Sequence, residues 1–314
     1  MGSSSYSHDA YSYFSRSAKT KSTNDIFTQN TTRTIAPTMD PKGITFREAR
    51  DSANHPESTA IMVWLDVTGS MGKIPEVIVK EKLDKIMSTL INHGVNDAAV
   101  FFGAIGDHSR GIRNTSDTYP LQVGQFESGT DELVSCLSSV FLEGGGGGNS
   151  VESYCLAHFF AGKHTSIDCY EKRGKKGFLF TIGDEGNHRL FSAADQMKIF
   201  GYEAAEDMTD EEMLAMAQRM YHVFHIHCNE TSYRNDATVI NYWKTLLGER
   251  LIIMDDYNDV AEIIASTVAV MNGANIDVVT SSFDSLTAGR VKTALAKVDT
   301  SVTTFSQNTG IVAL

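Results

Sequence analysis

The 314-residue sequence predicts an α/β chain: a Rossmann-like, doubly wound, mostly parallel sheet flanked by helices. Two observations carry that prediction. Apolar runs at 60–65 (AIMVWL), 97–106 (DAAVFFGAIG) and 177–183 (GFLFTIG) suit strands buried on both faces, and stretches of helical period separate them. These runs also end at acidic residues, Asp66, Asp107 and Asp184, on the carboxyl edge where open α/β sheets gather ligands.

Taken in order, residues 1–57 form a polar extension. Up to about residue 45 it is rich in Ser, Thr, Asn, Tyr and Asp and nearly lacks Leu, Ile and Val, so it cannot bury enough surface to order alone. It reads as a tail or a docking arm, with Tyr6, Tyr11, Tyr13, Phe14 and Phe27 spaced to meet a partner. Residues 45–53 predict a short helix before His55-Pro56. The first strand then runs into a loop in which Asp66, Thr68 and Ser70 alternate and Gly69 and Gly72 let the backbone turn. One carboxylate and two hydroxyls offer the hard oxygens that Mg²⁺ or Mn²⁺ prefers.

Ile74, Val77, Ile78, Ile86, Met87, Leu90 and Ile91 recur at helical spacing, predicting one amphipathic helix that ends near Gly94. An edge strand is expected at 119–126 and a helix at 131–141. The pentaglycine 144–148 opens into Asn149, Glu152 and a further helix. No lysine follows it, so it is no phosphate-binding P-loop, and the bland alternative is a flexible linker. After Asp184 come Glu185, Gly186, Asn187 and His188. Thr209 and Glu212 spell a capping box. The strand 221–228, YHVFHIHC, points His225 and His227 to one face and Cys228 to the other, an arrangement unsuited to zinc. A helix at 237–247, a strand at 250–255 and a helix with the stripe Val260, Ile263, Ile264, Thr267, Val268 and Met271 close the domain, 58–272. A C-terminal extension, 273–314, holds one helical candidate at 286–298.

Charge narrows the partners. With 39 acidic against 27 basic residues the chain carries −12, which argues against non-specific binding to nucleic acid or to anionic membrane. The four cysteines are widely spaced and read as free thiols of a reducing compartment. With no apolar run long enough for a bilayer and no signal-peptide core, a soluble, cytoplasmic protein is expected. The start, MGSSSYS, approaches a myristoylation signal but places Tyr6 where Ser or Thr belongs.

The loop Asp66-Val67-Thr68-Gly69-Ser70 resembles the metal-ion-dependent adhesion site of the von Willebrand factor A family, Asp-x-Ser-x-Ser, with threonine for the first serine. The resemblance covers about residues 58–272. It implies a second-loop ligand after the glycines, usually threonine; Asn149 stands nearest that position here and Glu152 three residues on, so both remain candidates. It also implies a third-loop aspartate, matched by Asp184. The expected metal set is therefore Asp66, Thr68, Ser70, Asn149, Glu152 and Asp184, holding Mg²⁺ or Mn²⁺. In the family the metal accepts a carboxylate from a protein partner, and intracellular bacterial relatives often act as adaptors beside AAA+ ATPases or kinases. The expectation is thus a metal-dependent protein-binding module rather than an enzyme. The alternatives are a phage or injection-machine subunit assembling through its terminal arms, and a metal-assisted hydrolase with Asp184, Glu185 or His188 as general base.

Overall fold

The computed structural model describes residues 4–69, 71, 73–109, 117–145, 149–204, 206–231 and 233–298. Its centre is a seven-stranded sheet: β1 Thr59–Asp66, β2 Ala98–Ile105, β3 Leu121–Gln122, β4 Phe126–Glu127, β5 Gly177–Gly183, β6 Tyr221–Cys228 and β7 Leu251–Met254. The order is β7-β6-β5-β1-β2-β3, with β4 also paired to β2. All pairings are parallel except those of β3 and β4 to β2. From β1 the chain moves to β2 on one side, then returns through β5 on the other, so β1 lies at the switch point of the winding.

The main helices are α1 His8–Ala18, α2 Leu83–Asn92, α3 Thr130–Ser138, α4 Tyr154–Lys163, α5 Asp210–Gln218, α6 Ala237–Leu247, α7 Val260–Met271 and α8 Ser285–Leu295. Strand alternation sends Ile61, Val63, Leu65, Val100, Phe102, Phe180 and Phe224 to the face shared with α2 and α7. Met62, Trp64, Phe101, Leu179 and Val223 pack on the other face with α4, α5 and α6. At Gly103 a Cβ would lie 2.3 Å from the Trp64 ring, so only glycine lets that indole lie across β2. The capping box forms as expected, Thr209 accepting from the Glu212 amide while Glu212 accepts from Thr209.

Four expectations change. The N-terminal segment lies on the domain: Tyr11 and Phe27 are buried, and α1 packs beside α2. Residues 45–53 form no helix, because Arg47–Ala49 pairs in parallel with Thr165–Ile167, more than a hundred residues away, a contact that local propensity cannot announce. The expected edge strand divides into β3 and β4, because Gly124 between them is pressed so close to the Phe102 carbonyl that a Cβ would lie 2.2 Å from it. The single helix after the first strand is interrupted by a π turn, Ile78–Lys82, between Lys73–Val77 and α2. Carbonyls of that turn accept from the N-terminal segment: the Tyr11 hydroxyl donates to Val79 O at 3.0 Å and the Ser15 hydroxyl to Lys80 O. At the other end α8 is held by Arg290, which bonds Asp259 and lies 3.2 Å from Asp256.

Candidate metal centre

Parallel pairing brings the carboxyl ends of β1, β2 and β5 to one edge, with Asp66 opposite Ile105 and Leu65 opposite Ile182. Asp66 (1% exposed) ends β1. Its Oδ1 accepts from the Thr68 amide at 2.8 Å and the Thr68 hydroxyl at 2.6 Å, and its Oδ2 accepts from the Tyr154 hydroxyl at 2.6 Å. Tyr154 starts α4 and reaches Asp66 over Gly183, where a Cβ would fall 1.8 Å from the phenol oxygen. Ser70 lies outside the described residues.

The glycine segment is bound to this loop. Gly144 N donates to Val67 O at 3.1 Å and Gly69 N donates to Gly145 O at 3.2 Å. At Gly145 a Cβ would meet Asp117 Oδ1 at 1.9 Å, so the close approach requires glycine. Beyond the segment, Val151–Glu152 pairs in parallel with Gly186–Asn187, which joins the second loop to the third. Asn187 Oδ1 accepts from Cys155 N at 2.7 Å and so caps α4.

Glu152 and Asp184 are buried at this edge, while Asn149 turns toward β2: its Nδ2 donates to Asp107 Oδ2 at 3.2 Å. Three buried oxygens, Asn149 Oδ1, Glu152 Oε2 and Glu185 Oε2, accept no hydrogen bond from the described residues. The carboxyls repel ionisation. Burial, then Asp184, raises Asp66 to about 7 against the bonds from Thr68 and Tyr154. Burial, then Asp184, Asp66 and Asp107, pushes Glu185 up to about 8. Glu152 is raised further, by burial and by Asp66 and Asp107. Among the described residues, no lysine or arginine lies within ion-pair distance of Asp66, Glu152 or Glu185. Such a group must hold protons or a cation, and oxygen acceptors without donors suit a small divalent ion.

Next to it, Asp107 Oδ1 lies 2.6 Å from His188 Nε2, and the rings of His108 and His188 meet edge to face at 4.8 Å. His108 is kept neutral by burial and by His188. The sequence marked Asp107 and His188 separately; what brings these two residues, 81 apart in the chain, together is the pairing of the strands that precede them. Tyr154 had no sequence signal beyond its place after the glycines.

No family model matches the chain, and no curated protein matches it. Solved structures resemble it distantly. The open form of the pilus adhesin SpaC from Lactobacillus rhamnosus GG aligns with a TM-score of 0.46 at 8% identity, over 71% of this chain and 31% of that one. Proximal thread matrix protein 1 of the mussel byssus aligns at 0.42 and 7% identity, over 71% of this chain and 49% of its own. The chain therefore spans a third to a half of those proteins, and likeness at this level bears on neither ligand nor activity.

Proposed function

We propose that the chain is a metal-dependent protein-binding module of the von Willebrand factor A type. The observation that supports it most is the convergence of Asp66, Glu152, Asp184 and Glu185 at the switch point, where Glu152 Oε2 and Glu185 Oε2 meet no donor among the described residues. Asp66, Thr68, Ser70 and Asp184 would hold a Mg²⁺ or Mn²⁺ ion, with Glu152 and Asn149 beside it. When bound, that ion supplies an exchangeable position for a partner's carboxylate oxygen. The chain's own part is orientation: Thr68 and Tyr154 fix the Asp66 carboxylate, Gly183 and Gly145 let their neighbours approach, and the start of α4 adds the positive end of a helix dipole. The partner is an acidic surface of another protein, an AAA+ ATPase or a kinase among the classes to try first.

Isothermal titration with Mn²⁺ tests the site. Asp66→Ala should abolish binding while the melting temperature in EDTA stays level or rises, because one member of a repelling group is gone. Undiminished Mn²⁺ affinity would overturn the assignment. For the partner, binding should vanish in EDTA, return with Mg²⁺ or Mn²⁺, return poorly with Ca²⁺, and weaken by about 2 to 5 kcal/mol in Thr68→Ala. A hydrolytic reading draws on the Asp107–His188 pair, a geometry suited to a general base. Metal-dependent turnover of phosphatase, nuclease or peptidase substrates that is lost in Asp66→Ala would favour it over the module.

A further inference from the structure

We propose that Asp107, His108 and His188 form a second cation site, of the zinc class, beside the Asp66 cluster. The proposal stands whether or not the Asp66 cluster binds Mg²⁺. One ligand atom from each of the three side chains lies within 4.8 Å of the other two. A tetrahedral ion with bonds near 2.0 to 2.1 Å holds its ligands about 3.3 Å apart, so changes of up to roughly 1.5 Å, well within side-chain rotation, would close the set. Two imidazoles and one carboxylate suit Zn²⁺ or Co²⁺ better than Mg²⁺, which prefers oxygen throughout.

The supports around these ligands are those a metal site needs. Asp107 is fully buried and fixed at both ends: its Oδ1 accepts from the Ser109 amide at 2.9 Å, and its own N–H donates to Asp117 Oδ2 at 2.8 Å. The Ser153 hydroxyl lies 2.6 Å from His108 Nδ1 and also accepts from the His108 amide at 2.8 Å, which orients that ring. His188 is positioned by its amide, which donates to Glu152 O at 3.1 Å. Glu152, already placed beside the Asp66 cluster, points the same way. It is 1% exposed, and its Oε2 accepts no hydrogen bond from the described residues. A buried carboxylate oxygen with no donor among the described residues marks a place where positive charge belongs. Three protein ligands leave the fourth position open, the arrangement of zinc sites that exchange water or substrate.

The test uses the full chain and Co²⁺ as a coloured stand-in for Zn²⁺, with Zn²⁺ affinity from titration calorimetry. The expected result is an intense visible Co²⁺ absorption typical of low coordination number, abolished in His188→Gln and Asp107→Asn and retained in Asp66→Asn, which should lose only Mn²⁺ binding. Zn²⁺ affinity should fall by about tenfold or more in His188→Gln. Because a variant can fail to fold, the wild-type chain gives a second reading: Zn²⁺ should shift the ring-nitrogen resonances of His108 and His188. Unshifted rings, or a weak Co²⁺ spectrum that is the same in His188→Gln, would overturn the site. Loss of the Co²⁺ band in Asp66→Asn together with Mn²⁺ binding would overturn its separateness, leaving a single cluster.

Discussion

The two faces of the sheet are built differently. Against α2 and α7 the strands present an almost wholly apolar surface, Ile61, Val63, Leu65, Val100, Phe102, Phe180 and Phe224. Against α4 and α6 they present Trp64, Thr181, His225 and His227, and α4 adds His158, all fully buried. Only some of this polarity is satisfied: Thr181 Oγ1 and His225 Nδ1 lie 2.9 Å apart, but both ring nitrogens of His158 lack hydrogen-bond partners among the described residues. The polar face is also the one that supplies the candidate centre. Tyr154 packs edge-on against His225 at 5.1 Å and against Trp243 at 5.5 Å, while its hydroxyl reaches Asp66. The lesson is that one face supplies cohesion and the other gives up some of it to hold a phenol in one orientation.

The largest effects should separate the faces outright. Ile264→Ala on α7 should cost about 2 to 5 kcal/mol by leaving a cavity. His158→Leu should instead raise stability by about 1 to 3 kcal/mol, because it removes buried nitrogens that have no partners. Denaturant titration of both variants measures this, and equal losses would break the comparison.

Next in size is the pH dependence in EDTA, whose sign differs between the buried histidines, His108 among them, and the buried carboxyls. Burial holds His158 and His222 at about 4, and His225 well below its usual value, whereas unfolded histidines titrate near about 6.5. Between those values the unfolded chain binds more protons, so stability is lost as pH falls from about 6.5 towards 4. At the candidate centre the carboxyls of Asp66 and Glu185 are raised to about 7 and about 8, so there the native state binds more protons. That contribution is complete below the unfolded carboxyl range, about 4, and is lost as pH rises through 7 and 8. Melting temperature against pH should therefore fall on both sides, with His158→Leu flattening the acid limb and Asp66→Asn the alkaline one. Limbs that ignore both substitutions would refute the assignment of each limb to its region.

Tyr154→Phe should have the smallest effect and sharpens the link between the two regions. Losing one donor to a buried carboxylate costs about 1 kcal/mol or somewhat more. Asp66 would then hold its proton more tightly, and Mn²⁺ affinity near neutral pH should drop by roughly threefold to tenfold, recovering as pH rises. A loss of affinity independent of pH would mean that the phenol acts by packing alone.

Much of this was legible in the sequence because it is local or periodic. Continuous apolar runs announce parallel strands, and an acidic residue after each of three of them announces a common edge once the strands are parallel. The capping box at Thr209 and the stripe of α7 are local in the same sense. What could not be read depends on partners far along the chain. Tyr154 and Asp66 are 88 residues apart, and the strand Arg47–Ala49 exists only because Thr165–Ile167 lies beside it. The N-terminal segment misled for another reason: few of its residues are aliphatic, and its attachment uses hydroxyls such as those of Tyr11 and Ser15, which composition counts as solvent-loving.

The π turn at Ile78–Lys82 also sets an angular offset. A helix that carries one residue more than its bonding ladder requires is turned by about 100° relative to a regular one, so Lys73–Val77 and α2 present faces offset by that angle. The hydroxyls of Tyr11 and Ser15 satisfy carbonyls which that extra residue displaces, and so act as a latch on the offset. Trimming the first twenty residues would then be felt at Asp66, through a helix free to rewind, although none of those residues is a ligand.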